Sequence, residues 1–246
     1  MSTAMDVLKI PKQGPVIALD GPAGTGKSTA TKRLAERLQF VHVDTGALYR
    51  ALAFVLRSQG RWTDGATVAQ REAAEKLARE IHLEFRFDLA KQPANRVFAN
   101  GQDVTDRIRT PENSLAASGV SAIPGVRAAL LGLQRRLGCQ GRTILEGRDI
   151  GTVVFPDADV KFFLTASVEV RARRRLAELE REGGGNVPSF EEIHAQIQSR
   201  DAADSGREVA PLRQAPDAIL IDTSRLSLDE VVELLVKKVH ERLGSG

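Results

Sequence analysis

Cysteine and aromatic residues are scarce in this chain of 246 residues, which has one cysteine, one tryptophan and one tyrosine. With Cys139 as its only cysteine, the chain can form no internal disulfide, and a reducing compartment is expected. An aromatic content of 4% is too low for a platform on which single-stranded nucleic acid would stack. The formal net charge of +3 does not indicate a nucleic-acid partner either.

Long apolar runs and organised histidines are also missing. No stretch of about 18 apolar residues occurs, so the sequence predicts no membrane contact, and residues 1–13 lack the apolar core of a signal peptide. The four histidines show neither metal-ligand spacing nor a nucleophile–histidine–acid pattern. We therefore expect a cytoplasmic protein, and nothing in the sequence demands an oligomer rather than a monomer.

The clearest motif runs from Val16 to Thr29, where an apolar run leads through a glycine-rich turn into a helical pattern. It fits G-x-x-x-x-G-K-[ST] in the strand–turn–helix setting that a P-loop requires. Such a turn points backbone N–H groups at phosphate, and the helix adds its positive dipole end. We predict that a nucleoside triphosphate binds here and that Ser28 ligates Mg²⁺. The predicted nucleotide-binding residues are Gly21, Gly24, Thr25, Gly26, Lys27, Ser28 and Thr29.

Strand and helix patterns alternate along the chain and predict an α/β fold of the P-loop NTPase type, with helices on both faces of a five-stranded parallel sheet. The five β-rich runs are at 16–19, 40–44, 143–146, 160–164 and 218–222. After the second run, alternation at 81–87 and an Asn-Gly turn predict a small antiparallel sheet. After the fourth, an arginine-rich helical excursion with a tip at 183–185 predicts a lid.

Arginines stand at several separated points of the sequence and indicate a second phosphorylated substrate. The guanidinium fork suits bidentate phosphate binding, and one triphosphate does not need so many of them. A P-loop alone would also suit a switch GTPase or a motor, but no guanine motif such as N-K-x-D occurs. An acceptor phosphate is ionised near pH 7, so no general base is required. The arginines in question are Arg50, Arg127, Arg148, Arg174, Arg200 and Arg207.

Four ordered blocks, at 21–28, 44–50, 146–156 and 200–212, resemble bacterial cytidylate kinases. The resemblance covers about 16–242 and implies transfer of the γ-phosphoryl group of ATP to CMP or dCMP, with Mg²⁺. It implies an acceptor phosphate on Arg50, Arg148 and Arg207, a sugar on Arg200 and Asp204, and a base on Ser118, Arg127 and Asp149. Thr45, at a strand end beside the P-loop, is a further substrate-binding candidate. The candidate catalytic residues are Lys27, Arg148, Arg174 and Arg207.

The resemblance also implies three parts. These are a core at 14–60, 141–167 and 208–246, a nucleoside-monophosphate-binding insertion at 61–140, and a lid at 168–207. One departure is Glu146, where some relatives carry aspartate. Two alternatives stay open at this point: a kinase for another monophosphate such as UMP, and a regulatory nucleotide-binding module.

Overall fold

The computed structural model describes residues 10–63, 66–87, 95–183 and 187–244. The strands are β1 (Val16–Asp20), β2 (Val41–Asp44), β3 (Leu83–Phe87), β4 (Asn95–Ala99), β5 (Gln102–Asp103), β6 (Thr143–Gly147), β7 (Val160–Thr165) and β8 (Ile219–Asp222). The helices are α1 (Lys27–Leu38), α2 (Gly46–Ser58), α3 (Val68–Glu80), α4 (Pro111–Ser121), α5 (Pro124–Gly138), α6 (Val168–Glu182), α7 (Phe190–Ser205) and α8 (Leu228–Leu243). A π-helical turn at Ile150–Val154 follows β6.

The chain divides into two compact units. The P-loop unit comprises residues 12–42 and 140–246, and the inserted unit comprises residues 1–11 and 43–139. The division falls inside β2, whose first residue, Val41, donates its N–H to the carbonyl of Arg142 over 2.7 Å. The three-part division inferred from the sequence stays a prediction.

The P-loop unit is built on the predicted five-stranded parallel sheet, whose strand order is β2-β6-β1-β7-β8. All five residues of β1 are buried, as expected for a central strand covered on both faces. Helices α1 and α8 pack on the sheet through a core that includes Leu34, Phe162 and Leu235. Because β6 and β7 flank β1, the carboxyl ends of these three strands meet at one edge of the sheet.

Helices α6 and α7 form the arginine-rich excursion that follows β7. Ala172, Ile193 and Ile197 make a small core between them. Ser189 begins α7 with a capping box that it shares with Glu192, and this fixes the start of the helix. Of the predicted glycine tip, Gly183 ends α6 in a left-handed conformation, whereas 184 and 185 lie outside the described residues.

The inserted unit contains the predicted antiparallel sheet, in the order β3-β4-β5, together with α2, α3, α4 and α5. Its core includes Leu48, Leu52, Val97 and Val126. Within the described part of the chain, no single helix is long and apolar enough to cross a membrane, although α4 and α5, bent by 99°, pass that test as a pair.

Candidate functional site

The turn between β1 and α1 has the backbone of a phosphate-binding loop. Gly21 has φ of 146°, and a Cβ there would collide with the carbonyl oxygen of Leu164 on β7. Gly24 and Gly26 adopt left-handed φ values of 79° and 82°, which favour glycine. Helix α1 then begins at Lys27 without a side-chain cap. Its first N–H groups therefore have no capping side chain and can bind an anion.

A carboxylate from the neighbouring strand contacts this loop. Glu146 is buried near the end of β6, and its Oε1 accepts a hydrogen bond from the Ser28 hydroxyl over 2.7 Å. Burial alone would raise the pKa of Glu146. The hydrogen bond and charge of His42, together with Lys27 and Ser28, instead hold that pKa well below its usual range. An ionised carboxylate beside a hydroxyl is a donor set that Mg²⁺ prefers, so these residues fit the ion that the sequence predicts.

Asp20, the last residue of β1, holds the segment that follows β6. Its two carboxylate oxygens accept the N–H groups of Ile150 and Gly151 over 2.9 and 2.7 Å. Burial raises the pKa of Asp20 to about 6, although these two hydrogen bonds act in the opposite direction. Both N–H groups belong to the first turn after Asp149, itself buried. Asp20 therefore fixes the backbone next to the predicted base-binding residue.

Two of the predicted acceptor-binding arginines share one buried carboxylate. Asp204, near the end of α7, accepts from Arg148 Nε over 3.1 Å through one oxygen and from Arg207 through the other. Arg148 follows β6 directly, and its Nη1 also donates to the carbonyl of Gly147. Arg148, just after β6, and Arg207, just after α7, thus bind the same carboxylate within the P-loop unit. Arg200 lies half-buried one helical turn before Asp204.

Two arginines of α6, Arg171 and Arg174, contact backbone carbonyls of the P-loop. Arg174 donates to the hydroxyl and carbonyl of Thr223 over 3.0 and 2.6 Å, and to the carbonyl of Thr25 over 3.4 Å. Arg171 donates to the carbonyl of Ala23 over 3.1 Å. Arg175 instead pairs with Glu178 on the surface of the same helix. The catalytic role assigned to Arg174 therefore stays a prediction, and its contacts here are two hydrogen bonds to Thr223, after β8, and one to the P-loop carbonyl of Thr25.

The inserted unit places Arg50 beside an acidic partner. Arg50 Nη2 donates to Asp44 Oδ2 over 2.5 Å, and Arg109 approaches the same oxygen at 3.4 Å. A Cβ at Gly46 would come within 3.1 Å of Asp44 Oδ1 and 3.2 Å of Arg50 Nη1, so both side chains would have to shift slightly to admit one. Thr45 precedes α2 and is buried. Asp44, at the end of β2, thus orients the guanidinium of Arg50.

The other two predicted residues of this unit lie on α4 and α5. Arg127 is buried, donates to the carbonyl of Ser121 over 3.1 Å and has its guanidinium carbon 5.4 Å from the centre of the Tyr49 ring. Ser118 is half-buried on α4, and its carbonyl accepts from the Ser121 hydroxyl. The Tyr49 ring and the Ser121 carbonyl thus hold the Arg127 guanidinium in place, and its role toward a base stays a prediction.

The similarity to known proteins covers nearly the whole chain. The sequence model of the cytidylate kinase family matches residues 17–241. A protein named cytidylate kinase from Syntrophotalea carbinolica is 48% identical over 92% of this chain and 92% of its own length. One from Geobacter sp. strain M21 is 48% identical over 96% of this chain and 97% of its own length. The chain belongs to the cytidylate kinase family. A third relative with that name, from Thermotoga neapolitana, is 44% identical over 92% of this chain.

Membership of the cytidylate kinase family confirms the resemblance stated from the four sequence blocks. The structure adds contacts that the sequence did not predict, namely Asp20 with the turn after Asp149, Glu146 with Ser28, and Asp201 and Thr223 with the arginines of α6. The only sequence signal for the first two was a carboxylate at the end of a predicted strand. Such a residue could be suspected, but its partner depends on which strands are neighbours.

Proposed function

We propose that the chain transfers the γ-phosphoryl group of ATP to CMP or dCMP, producing ADP and CDP or dCDP. One structural observation supports this proposal in addition to family membership. Arg148 and Arg207 both donate hydrogen bonds to the Asp204 carboxylate, in the same unit as the P-loop. A P-loop accounts for one phosphate chain, and a separate pair of arginines suits a second one. Two phosphorylated substrates are what a monophosphate kinase must hold.

The donor side rests on the P-loop and its neighbours. The N–H groups at the start of α1 and the Lys27 ammonium bind and orient the phosphates of ATP. Ser28 and Glu146 would hold Mg²⁺, which supplies positive charge against the β- and γ-phosphates when it is bound. Arg174 is the arginine of α6 that we propose as a further stabiliser of charge on the transferred group. The supporting contact is its hydrogen bond to the P-loop carbonyl of Thr25.

The proposed acceptor-binding residues are those that the resemblance to the family implies. We propose that Arg50, Arg148 and Arg207 bind the acceptor phosphate, with Thr45 beside it. Arg200 and Asp204 bind the sugar, while Ser118, Arg127 and Asp149 bind the base. Cytosine offers an amino donor next to two acceptors, so a carboxylate and a guanidinium can read it together. Because the acceptor phosphate is already ionised, these residues catalyse by positioning and by offsetting charge, without a general base.

An acceptor panel tests the proposal. The purified chain is incubated with ATP and Mg²⁺ and with CMP, dCMP, UMP, TMP, AMP or no acceptor, and ADP release is followed. We expect rapid release with CMP and dCMP only. A preference for UMP or TMP would show a kinase with another acceptor, and slow release that no acceptor stimulates would show a regulatory module. Light scattering during size-exclusion chromatography tests the accompanying proposal that the enzyme is a monomer.

A further inference from the structure

The buried side chain of Arg171, on α6, forms its hydrogen bonds with protein groups. Its side chain is only 4% exposed. Nε donates to the carbonyl of Ala166 over 3.0 Å, and Nη1 donates to that of Ala23 over 3.1 Å. Nη1 and Nη2 donate hydrogen bonds to the two carboxylate oxygens of Asp201 over 3.0 and 2.5 Å. A guanidinium with these four bonds has little capacity left for a phosphate.

Two partners of Arg171 lie beside different proposed substrates: Ala23 is part of the proposed ATP site, and Asp201 is close to the proposed CMP site. Ala23 lies inside the P-loop, and a Cβ on the next residue, Gly24, would come within 3.1 Å of the Arg171 Cβ. The loop thus rests directly on α6. Asp201 lies on α7, less than one turn before Asp204, the carboxylate that gathers Arg148 and Arg207. Hydrogen bonds and one helical turn therefore connect the P-loop to the proposed acceptor-binding arginines.

We propose that Arg171 and Asp201 form a positioning pair that couples occupation of the P-loop to the alignment of α7, so that ATP and CMP strengthen each other's binding. The inference rests on the proposed function, because it requires that the chain binds both substrates. The bidentate bond allows this coupling. Because the Arg171 guanidinium is buried and bonded to both carboxylate oxygens of Asp201, it moves together with α7. A change in the P-loop backbone at Ala23 then shifts Asp204 as well as Asp201. Coupling of this kind is reciprocal, and its usual size is about 5–150-fold in affinity.

The test measures the dissociation constant of CMP by calorimetry, with and without a saturating non-hydrolysable ATP analogue. In the unmodified chain we expect CMP to bind at least about fivefold more tightly when the analogue is present. Asp201→Asn and Arg171→Lys each remove the bidentate bond and should bring that ratio close to one. The double variant should be no worse than either single variant, because the two residues act as a pair.

A matched control comes from the same helix. Glu169 and Arg173 form an exposed pair on α6 with an N–O distance of 2.6 Å. Glu169→Gln and Arg173→Lys make the same chemical changes without touching the P-loop or α7, so the coupling ratio should survive. Thermal unfolding of every variant separates loss of coupling from loss of fold. If Asp201→Asn does not fold, Arg171→Lys, which keeps the positive charge, gives the answer.

The outcomes separate this inference from the proposed function. If the unmodified chain phosphorylates CMP but its coupling ratio is one, or if the ratio survives in Asp201→Asn or in Arg171→Lys, the positioning role is wrong and the proposed function stands. If the acceptor panel shows no transfer to CMP, the proposed function itself fails and this inference fails with it. If the surface-pair variants lose coupling as strongly as the buried-pair variants do, the effect is general to α6 and the inference is also overturned.

Discussion

The Ser28 hydroxyl donates a hydrogen bond to Glu146 Oε1 over 2.7 Å, although 118 positions separate the two residues in the chain. The register of the sheet produces this contact. Glu146 on β6 pairs with Leu19 on β1, two positions before the turn that begins the P-loop. The carboxylate therefore reaches the start of α1 from the adjacent strand, where we propose that Mg²⁺ binds.

Replacing Glu146 should impair the use of Mg²⁺. Glu146→Gln keeps the size and a carbonyl oxygen for Ser28 but removes the negative charge, so we expect kcat to fall by about 100-fold, a loss typical of a preorganised electrostatic contact. The apparent KM for Mg²⁺ should rise. Steady-state kinetics over a Mg²⁺ series would measure both quantities. Glu233→Gln, at an exposed pair with Arg37, is the control. Unaltered Mg²⁺ dependence in Glu146→Gln would remove Glu146 from the metal site.

Replacing Asp149 should change which base is accepted. Asp149→Asn offers an amide donor that suits the uracil oxygen, whereas the natural carboxylate suits the cytosine amino group. We expect the ratio of kcat/KM for CMP to that for UMP to fall by at least about tenfold, and the KM for ATP to stay the same. Asp217→Asn, on the surface of the same unit, serves as the control. A higher KM for ATP with intact selectivity would place Asp149 on the donor side.

The buried carboxyl of Asp20 should make stability depend on pH. Burial raises its pKa from 3.8 to about 6 in the folded chain. Protonation therefore favours the folded state, and this contribution, about 3 kcal/mol, is present below pH 4 and lost as the pH rises through 6. In urea unfolding between pH 4 and pH 7, the unmodified chain should lose stability relative to Asp20→Asn. Parallel pH profiles for the two proteins would contradict a raised pKa at this residue.

Replacing two glycines by alanine should change the free energy of unfolding in opposite directions. Gly21→Ala places a Cβ against the Leu164 carbonyl at a φ of 146°, so we expect a loss of several kcal/mol in unfolding free energy and loss of ATP binding. Gly132 lies inside α5, where the added Cβ would meet only Arg136 at 3.6 Å. Gly132→Ala should therefore stabilise the chain by about 0.5–1 kcal/mol. Thermal unfolding compares them, and similar melting temperatures would refute the packing argument.

The local elements could be read from the sequence because short-range patterns decide them. The five apolar runs became the five parallel strands, and the Asn100–Gly101 turn joined β4 to β5. Ser227 with Glu230 capped α8 as the capping-box pattern predicts. Helix α4 and the π-helical turn at Ile150–Val154 were not predicted. The turn depends on Asp20, which lies 130 positions earlier in the chain, and no local pattern records that contact.

The sequence by itself determined the class of chemistry, because a P-loop needs only neighbouring residues of the right types in the right order. Through its resemblance to the family, it also predicted that Arg148, Arg207 and Asp149 bind the substrate. Only the tertiary structure decided their partners: Asp204 for the two arginines, Glu146 for Ser28, and Asp201 for Arg171. The reason is physical. Strand order and helix packing determine which side chains that are distant in sequence come into contact. A buried charged group is stable only where it has an oppositely charged or hydrogen-bonding partner.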